Sequence, residues 1–205
     1  MLLFVNACFR KESRTERLAR TWLAKRAYPR EVEEIRLCEL DVDPLDAGGR
    51  NPIAEYCRAV DAASFEHPMF DIPKQFAQVD EVLIAAPVWN YGLPAKLHAY
   101  LELACSQGIT FDLGEGGVYR SLCKARRLTF VTTAGGLEPQ PEDDHAFGYI
   151  RTLARRFWHM PQVDLVAGWG LDVYGADVEA ILADALDHMR PCVPRQPGPS
   201  ISGTL

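Results

Sequence analysis

Short runs of uninterrupted apolar residues alternate along this chain with longer stretches in which apolar positions recur every three or four residues. Leu2–Ala7, Glu81–Ala86, Leu128–Thr133 and Val163–Ala167 are almost purely apolar at their centres, the pattern of strands covered on both faces. Val32–Leu37 is mixed and alternates, which suits a strand near a sheet edge. Between these runs the spacing predicts helices over Glu16–Ala27, Pro52–Ser64, Pro94–Gln107, Asp144–Phe157 and Ala176–Met189. In the first of them Leu18, Trp22 and Leu23 share a face, while Arg17, Arg20 and Arg26 can stay in water. Ser13-Arg14-Thr15-Glu16 has the form of a capping box, in which Ser13 accepts from the first turn and Glu16 reaches back. Pro52 and Pro94 suit a first helical turn, where a missing N–H is harmless.

Strand and helix in alternation predict an α/β fold, a doubly wound five-stranded parallel sheet with strand order 2-1-3-4-5. The expected organisation is a single domain over residues 1–190. The stretch 191–205, rich in Pro, Gly and Ser, is expected to be extended or disordered, or to pack on a partner subunit.

Composition narrows the class without naming a chemistry. With 205 residues, 48% hydrophobic and 24% charged, the chain can bury one sizeable core. Its apolar runs are too short for a membrane span, and the N-terminal Met1–Val5 reads as a strand and not as a signal peptide. A net charge of −6 argues against nucleic acid as a partner; the basic stretch from Arg120 to Arg127 reads as a solvated loop. Six cysteines are scattered with no CxxC pair, so no metal site is expected and the reducing cytoplasm is the expected compartment.

In a sheet of this order, ligands bind outside the carboxyl ends of the strands, where the order reverses. Three segments fall there. Cys8–Thr15 brings Ser13, Arg14 and Thr15 to a helix start, where free backbone donors, two hydroxyls and a guanidinium suit a phosphate; an ordinary helix cap is the plainer meaning. Pro87-Val88-Trp89-Asn90-Tyr91 sets two aromatics and an Asn directly after the third strand, where a flat ring could lie; a turn packing Trp89 on a helix is the alternative. Thr133-Ala134-Gly135-Gly136 ends the fourth strand in a glycine pair that lets backbone approach a ligand. There is no GxGxxG and no Walker lysine loop.

Together these segments resemble the FMN-dependent NADH-azoreductase and NAD(P)H:quinone reductase family of the flavodoxin-like superfamily. The resemblance continues through Lys96-Leu97-His98-Ala99-Tyr100-Leu101-Glu102, Gly108-Ile109-Thr110-Phe111, Leu128–Gly136 and Tyr149–Leu153, and covers most of residues 1–175. It implies FMN as cofactor, NADH or NADPH as electron donor, and two-electron reduction of quinones, azo compounds or nitroaromatics. Ser13, Arg14 and Thr15 would hold the phosphate. Pro87, Val88, Trp89, Asn90 and Tyr91 would border the flavin ring, and Thr133, Ala134, Gly135 and Gly136 its other edge. Phe111 and His145 are candidate contacts of the aromatic acceptor, His145 being equally readable as a surface residue. The family is typically homodimeric, with active sites at the interface.

Two departures stand out. Ala7-Cys8 occupies the place of a family serine, a lost hydroxyl that Arg10 or Lys11 could replace, and Ala134 stands where a polar or basic residue is frequent.

Two other classes stay open at this point. One is a flavodoxin-type electron carrier. The other is a low-molecular-weight tyrosine phosphatase with Cys8 as nucleophile and Arg14 as phosphate ligand, with five residues between them. Against the second stand the bulky loop Phe9–Ser13, the charge of Glu12 and the lack of a late Asp-Pro. A response-regulator receiver needs acidic residues where Asn6 and Ala7 stand.

Overall fold

A computed structural model describes residues 1–26 and 31–191. Five parallel strands form its centre: β1 (Leu2–Asn6), β2 (Val32–Arg36), β3 (Glu81–Ala85), β6 (Arg127–Thr133) and β7 (Gln162–Gly168). They lie in the order β2-β1-β3-β6-β7, and a two-residue strand, β8 (Arg190–Pro191), adds antiparallel beside β7. The predicted order therefore holds, with one reversed strand at the edge. Between β3 and β6 a separate antiparallel hairpin, β4 (Phe111–Leu113) with β5 (Tyr119–Ser121), turns through Gly114–Val118.

Alternation along the strands divides the core in two. Leu2 and Phe4 of β1 point to one face, where Leu18 and Trp22 of α1 (Arg14–Lys25) and Leu182 of α6 (Val178–Asp187) cover them. Leu3 and Val5 point to the other face. There they join residues of α2 (Ile53–Ala62), α3 (Asp71–Gln78), α4 (Ala95–Ala104) and α5 (Phe147–Arg156), with Phe76, Leu97, Ile150 and Trp158 at the centre. β1 and β3 are buried at every position, whereas β2 is partly exposed throughout.

The five expected helices form; the first keeps its expected length but begins two residues earlier, at Arg14, and the other four are shorter than their periodic patterns. α3 was not anticipated. Only eight residues long, it carries Pro73 in its first turn, where no intrahelical N–H is needed. The capping box forms by half: Ser13 accepts the Glu16 N–H at 3.2 Å, but the Glu16 carboxylate turns away to Arg20 and Arg36. The expected tail lies outside the described residues from Cys192 onward, and its first residue, Pro191, lies in β8. No helix among the described residues is long and apolar enough to cross a membrane.

Candidate functional site

The loops that follow β1, β3, β6 and β7 close around one crevice of about 210 Å3 at the carboxyl end of the sheet. Its lining brings together Ser13, Arg14 and Thr15 with Pro87, Val88 and Trp89, and with Thr133, Ala134 and Gly135. Asn90, Tyr91 and Gly136 belong to the same loops but stand beside the crevice instead of lining it.

The first wall is the start of α1. Its first-turn N–H groups have no helical carbonyl to bond and carry the positive end of the helix dipole, and the Ser13 hydroxyl caps the turn beside them. Thr15 is fully buried and its Oγ1 lies 2.6 Å from Thr133 Oγ1. That bond ties α1 to the end of β6.

The second wall is a tight turn. Trp89 and Gly92 exchange both backbone hydrogen bonds, at 3.0 and 2.9 Å, around Asn90 and Tyr91 at φ 51° and 63°. Two consecutive left-handed residues define a type I′ turn, which ordinarily takes Asn-Gly; Tyr at the second place is strained. The side chains this strain presents are exposed: Trp89 at 40% and Tyr91 at 58%. Phe9 from the first loop stands 6.0 Å from the Trp89 ring, extending the apolar wall.

The third wall is the glycine loop. A Cβ on Gly135 would fall 2.0 Å from Asp172 Oδ2, so a larger residue here would push that carboxylate aside. Ala134 and Gly135 accept N–H bonds from Leu171 and Asp172, and Gly136 accepts one from Gly170. Leu171 and Asp172 thereby enter the lining, together with Arg10 and Glu12. Sequence reasoning missed Leu171 and Asp172, though Gly170 and Gly175, both at positive φ, mark a built loop after β7.

Phe111 and His145 lie elsewhere. Phe111 packs edge-on to Tyr119 and Phe157 and lines a cavity of about 830 Å3 with Val42, Tyr56, His98 and Tyr149. His145 borders a shallower hollow with Gly92, His98 and Tyr149. The larger cavity is mostly apolar, and the smaller crevice has the convergent polar groups; we take the crevice as the site because orientation and specificity reside in such groups.

The Cys8 thiol is a poor nucleophile. It is buried, its Sγ lies 3.7 Å from the Ala85 carbonyl, and burial pushes its pKa up to about 12. A phosphatase thiolate needs the opposite shift.

A family model of the flavodoxin-like fold matches residues 1–191. The chain belongs to that family. Among its flavodoxin-like relatives, an FMN-dependent NADH:quinone oxidoreductase of Coprothermobacter proteolyticus is 31% identical over 182 residues, 86% of this chain and 88% of the relative. An azoreductase from Bacillus anthracis superposes with a TM-score of 0.76 at 22% identity, over 91% of this chain and 94% of the other. An FMN-dependent NADH-azoreductase of the same species, solved in complex with FMN, superposes at 0.74 with 18% identity and the same coverages. At those identities the two structures speak for the flavodoxin-like fold alone.

Proposed function

We propose that this chain is an FMN-dependent NAD(P)H oxidoreductase that reduces quinones, azo compounds or both. The observation that carries the reading is the convergence of a free helix start, an exposed aromatic turn and a close-approach glycine on one crevice.

The residues fit the cofactor in size and in chemistry. About 210 Å3 is less than the roughly 300–1,000 Å3 of pockets that enclose a whole drug-sized ligand. The crevice therefore suits a phosphorylated tail, leaving a planar ring to rest on the exposed Trp89 turn. Ser13 Oγ, the Arg14 and Thr15 N–H groups and the Arg14 guanidinium hold the phosphate. Pro87 and Val88 with Trp89, Asn90 and Tyr91 border the ring, and Thr133 to Gly136 border its far edge. When bound, FMN would supply two-electron chemistry between NADH or NADPH and the acceptor. The chain's share is to orient the ring, to exclude water from one side with Phe9 and Trp89, and to offer backbone donors where negative charge gathers.

A homodimer completes the reading. Trp89, Tyr91, Leu113, Val118 and Leu122 are exposed apolar side chains that a second copy would cover. The thiols of the described residues are free, in keeping with a reducing cytoplasm.

The test is spectroscopic. Purified protein is expected to carry, or to take up, one FMN per chain with visible flavin bands, bleached by NADH without oxygen and restored by a quinone. Protein that stays colourless after incubation with FMN overturns the proposal.

A further inference from the structure

An internal carboxylate already occupies the guanidinium that the phosphate reading assigns to the cofactor. Arg14 Nη2 lies 2.7 Å from Asp172 Oδ1, and its Nη1 donates to the Leu171 carbonyl at 3.0 Å. Asp172 is held in place from behind. Its N–H bonds the Gly135 carbonyl at 3.0 Å, and its carboxylate lies against the Gly135 backbone where any side chain would collide. The carboxylate thus bridges the glycine loop and the start of α1 across the crevice.

This bridge does little for stability. The Arg14 and Asp172 side chains are 32% and 67% exposed, and ion pairs so exposed contribute weakly to folding. Its effect on the crevice is larger. The charged side chains of the lining are Arg10 and Arg14 against Glu12 and Asp172, so the charges balance; neutralising Asp172 leaves one positive charge in excess. An arriving phosphate, close to a dianion at neutral pH, must take Arg14 from Asp172 and then sit beside the displaced carboxylate.

Resting on the flavoprotein reading above, we infer that Asp172 is a specificity-determining residue of this site. It competes with the phosphate for Arg14 and weakens retention of phosphorylated flavin without touching recognition of the ring. The cofactor is thereby held loosely enough to exchange, and discrimination between FMN and unphosphorylated riboflavin is smaller than the helix start and Arg14 alone would give.

The experiment is a titration of the flavin-free full chain with FMN and with riboflavin, read by quenching of flavin fluorescence. Asp172→Asn is expected to bind FMN about tenfold tighter, a size set by one like-charge repulsion of partly screened strength, with riboflavin affinity unchanged. Asp172→Glu, which keeps the charge, is expected to stay near the original FMN-to-riboflavin ratio. Added salt is expected to narrow the difference between Asp172→Asn and the unaltered chain. Unchanged or weaker FMN binding by Asp172→Asn, or an equal change for both flavins, overturns the inference while leaving the flavoprotein reading intact. Failure of the unaltered chain to bind either flavin overturns both.

Discussion

The two ends of the parallel sheet treat charge in opposite ways. At the amino end, carboxyl groups are packed inside the fold. Asp164 has a fully buried side chain, with Gln162 Nε2 at 2.9 Å and Arg127 Nε at 3.7 Å, and Glu81 sits between Arg26 and Arg127 at 3.6 and 3.8 Å. At the carboxyl end, the charged side chains of the crevice are partly wet, aromatic rings are exposed and a Tyr is held at positive φ. The first arrangement holds strands together; the second spends stability on an accessible surface. Stability and ligand binding should therefore separate cleanly by end.

Arg127→Ala tests the amino end and carries the largest expected effect. It removes the nearer of the two cations, Arg127 and Arg26, that act on the buried Asp164 carboxylate, and is expected to lower unfolding free energy by about 3 kcal/mol in urea denaturation; flavin affinity of the folded fraction should not change. Trp89→Ala acts at the other end. It should weaken flavin binding about tenfold, roughly 1.4 kcal/mol, with a melting temperature close to the original. A large loss of stability there would erase the contrast between the ends. Tyr91→Gly places the residue that a type I′ turn prefers, and is expected to raise stability by about 1 kcal/mol in denaturant titration while slowing turnover of aromatic acceptors.

A last comparison concerns acid. A hydrogen bond from Arg36, helped by Arg20, holds the Glu16 carboxyl down to about 2 from its ordinary 4.5. Its contribution is therefore fully present above pH 4.5 and is lost as pH falls toward 2. Asp164 runs the other way, since burial raises its pKa: its protonated form favours folding, an advantage lost as pH rises through the raised value. Glu16→Gln should accordingly flatten the decline in stability between pH 4.5 and 2, read as the urea midpoint at successive pH values.

What could be read from the chain followed from how strongly local pattern reflects burial. β1, β3 and β6 are covered on both faces, so their apolar runs stand out; β2, at the edge, shows its position in the mixed apolar and charged residues of Val32-Glu33-Glu34-Ile35. α3 escaped because a short helix with Pro73 near its start has no long period to detect. The β4–β5 hairpin escaped because each strand is three residues long. At the crevice, three lining segments followed from the rule that loops at strand ends bind ligands. The fourth, Leu171-Asp172, joins through backbone bonds to Ala134 and Gly135, a pairing that sequence does not encode locally. The half-formed capping box has the same cause, since the rival partner of Glu16 is Arg36 on another element.

The margins of the sheet have a further consequence. On one side β2 presents Glu33, Glu34 and Arg36, charges that repel a docking strand; on the other, β8 runs against the grain and ends in Pro191, which offers no amide hydrogen. Neither border is a good template for extending the ladder into a neighbouring molecule. Association between copies is thereby directed to helices and loops, and the open-ended fibre growth that unguarded strands invite is discouraged.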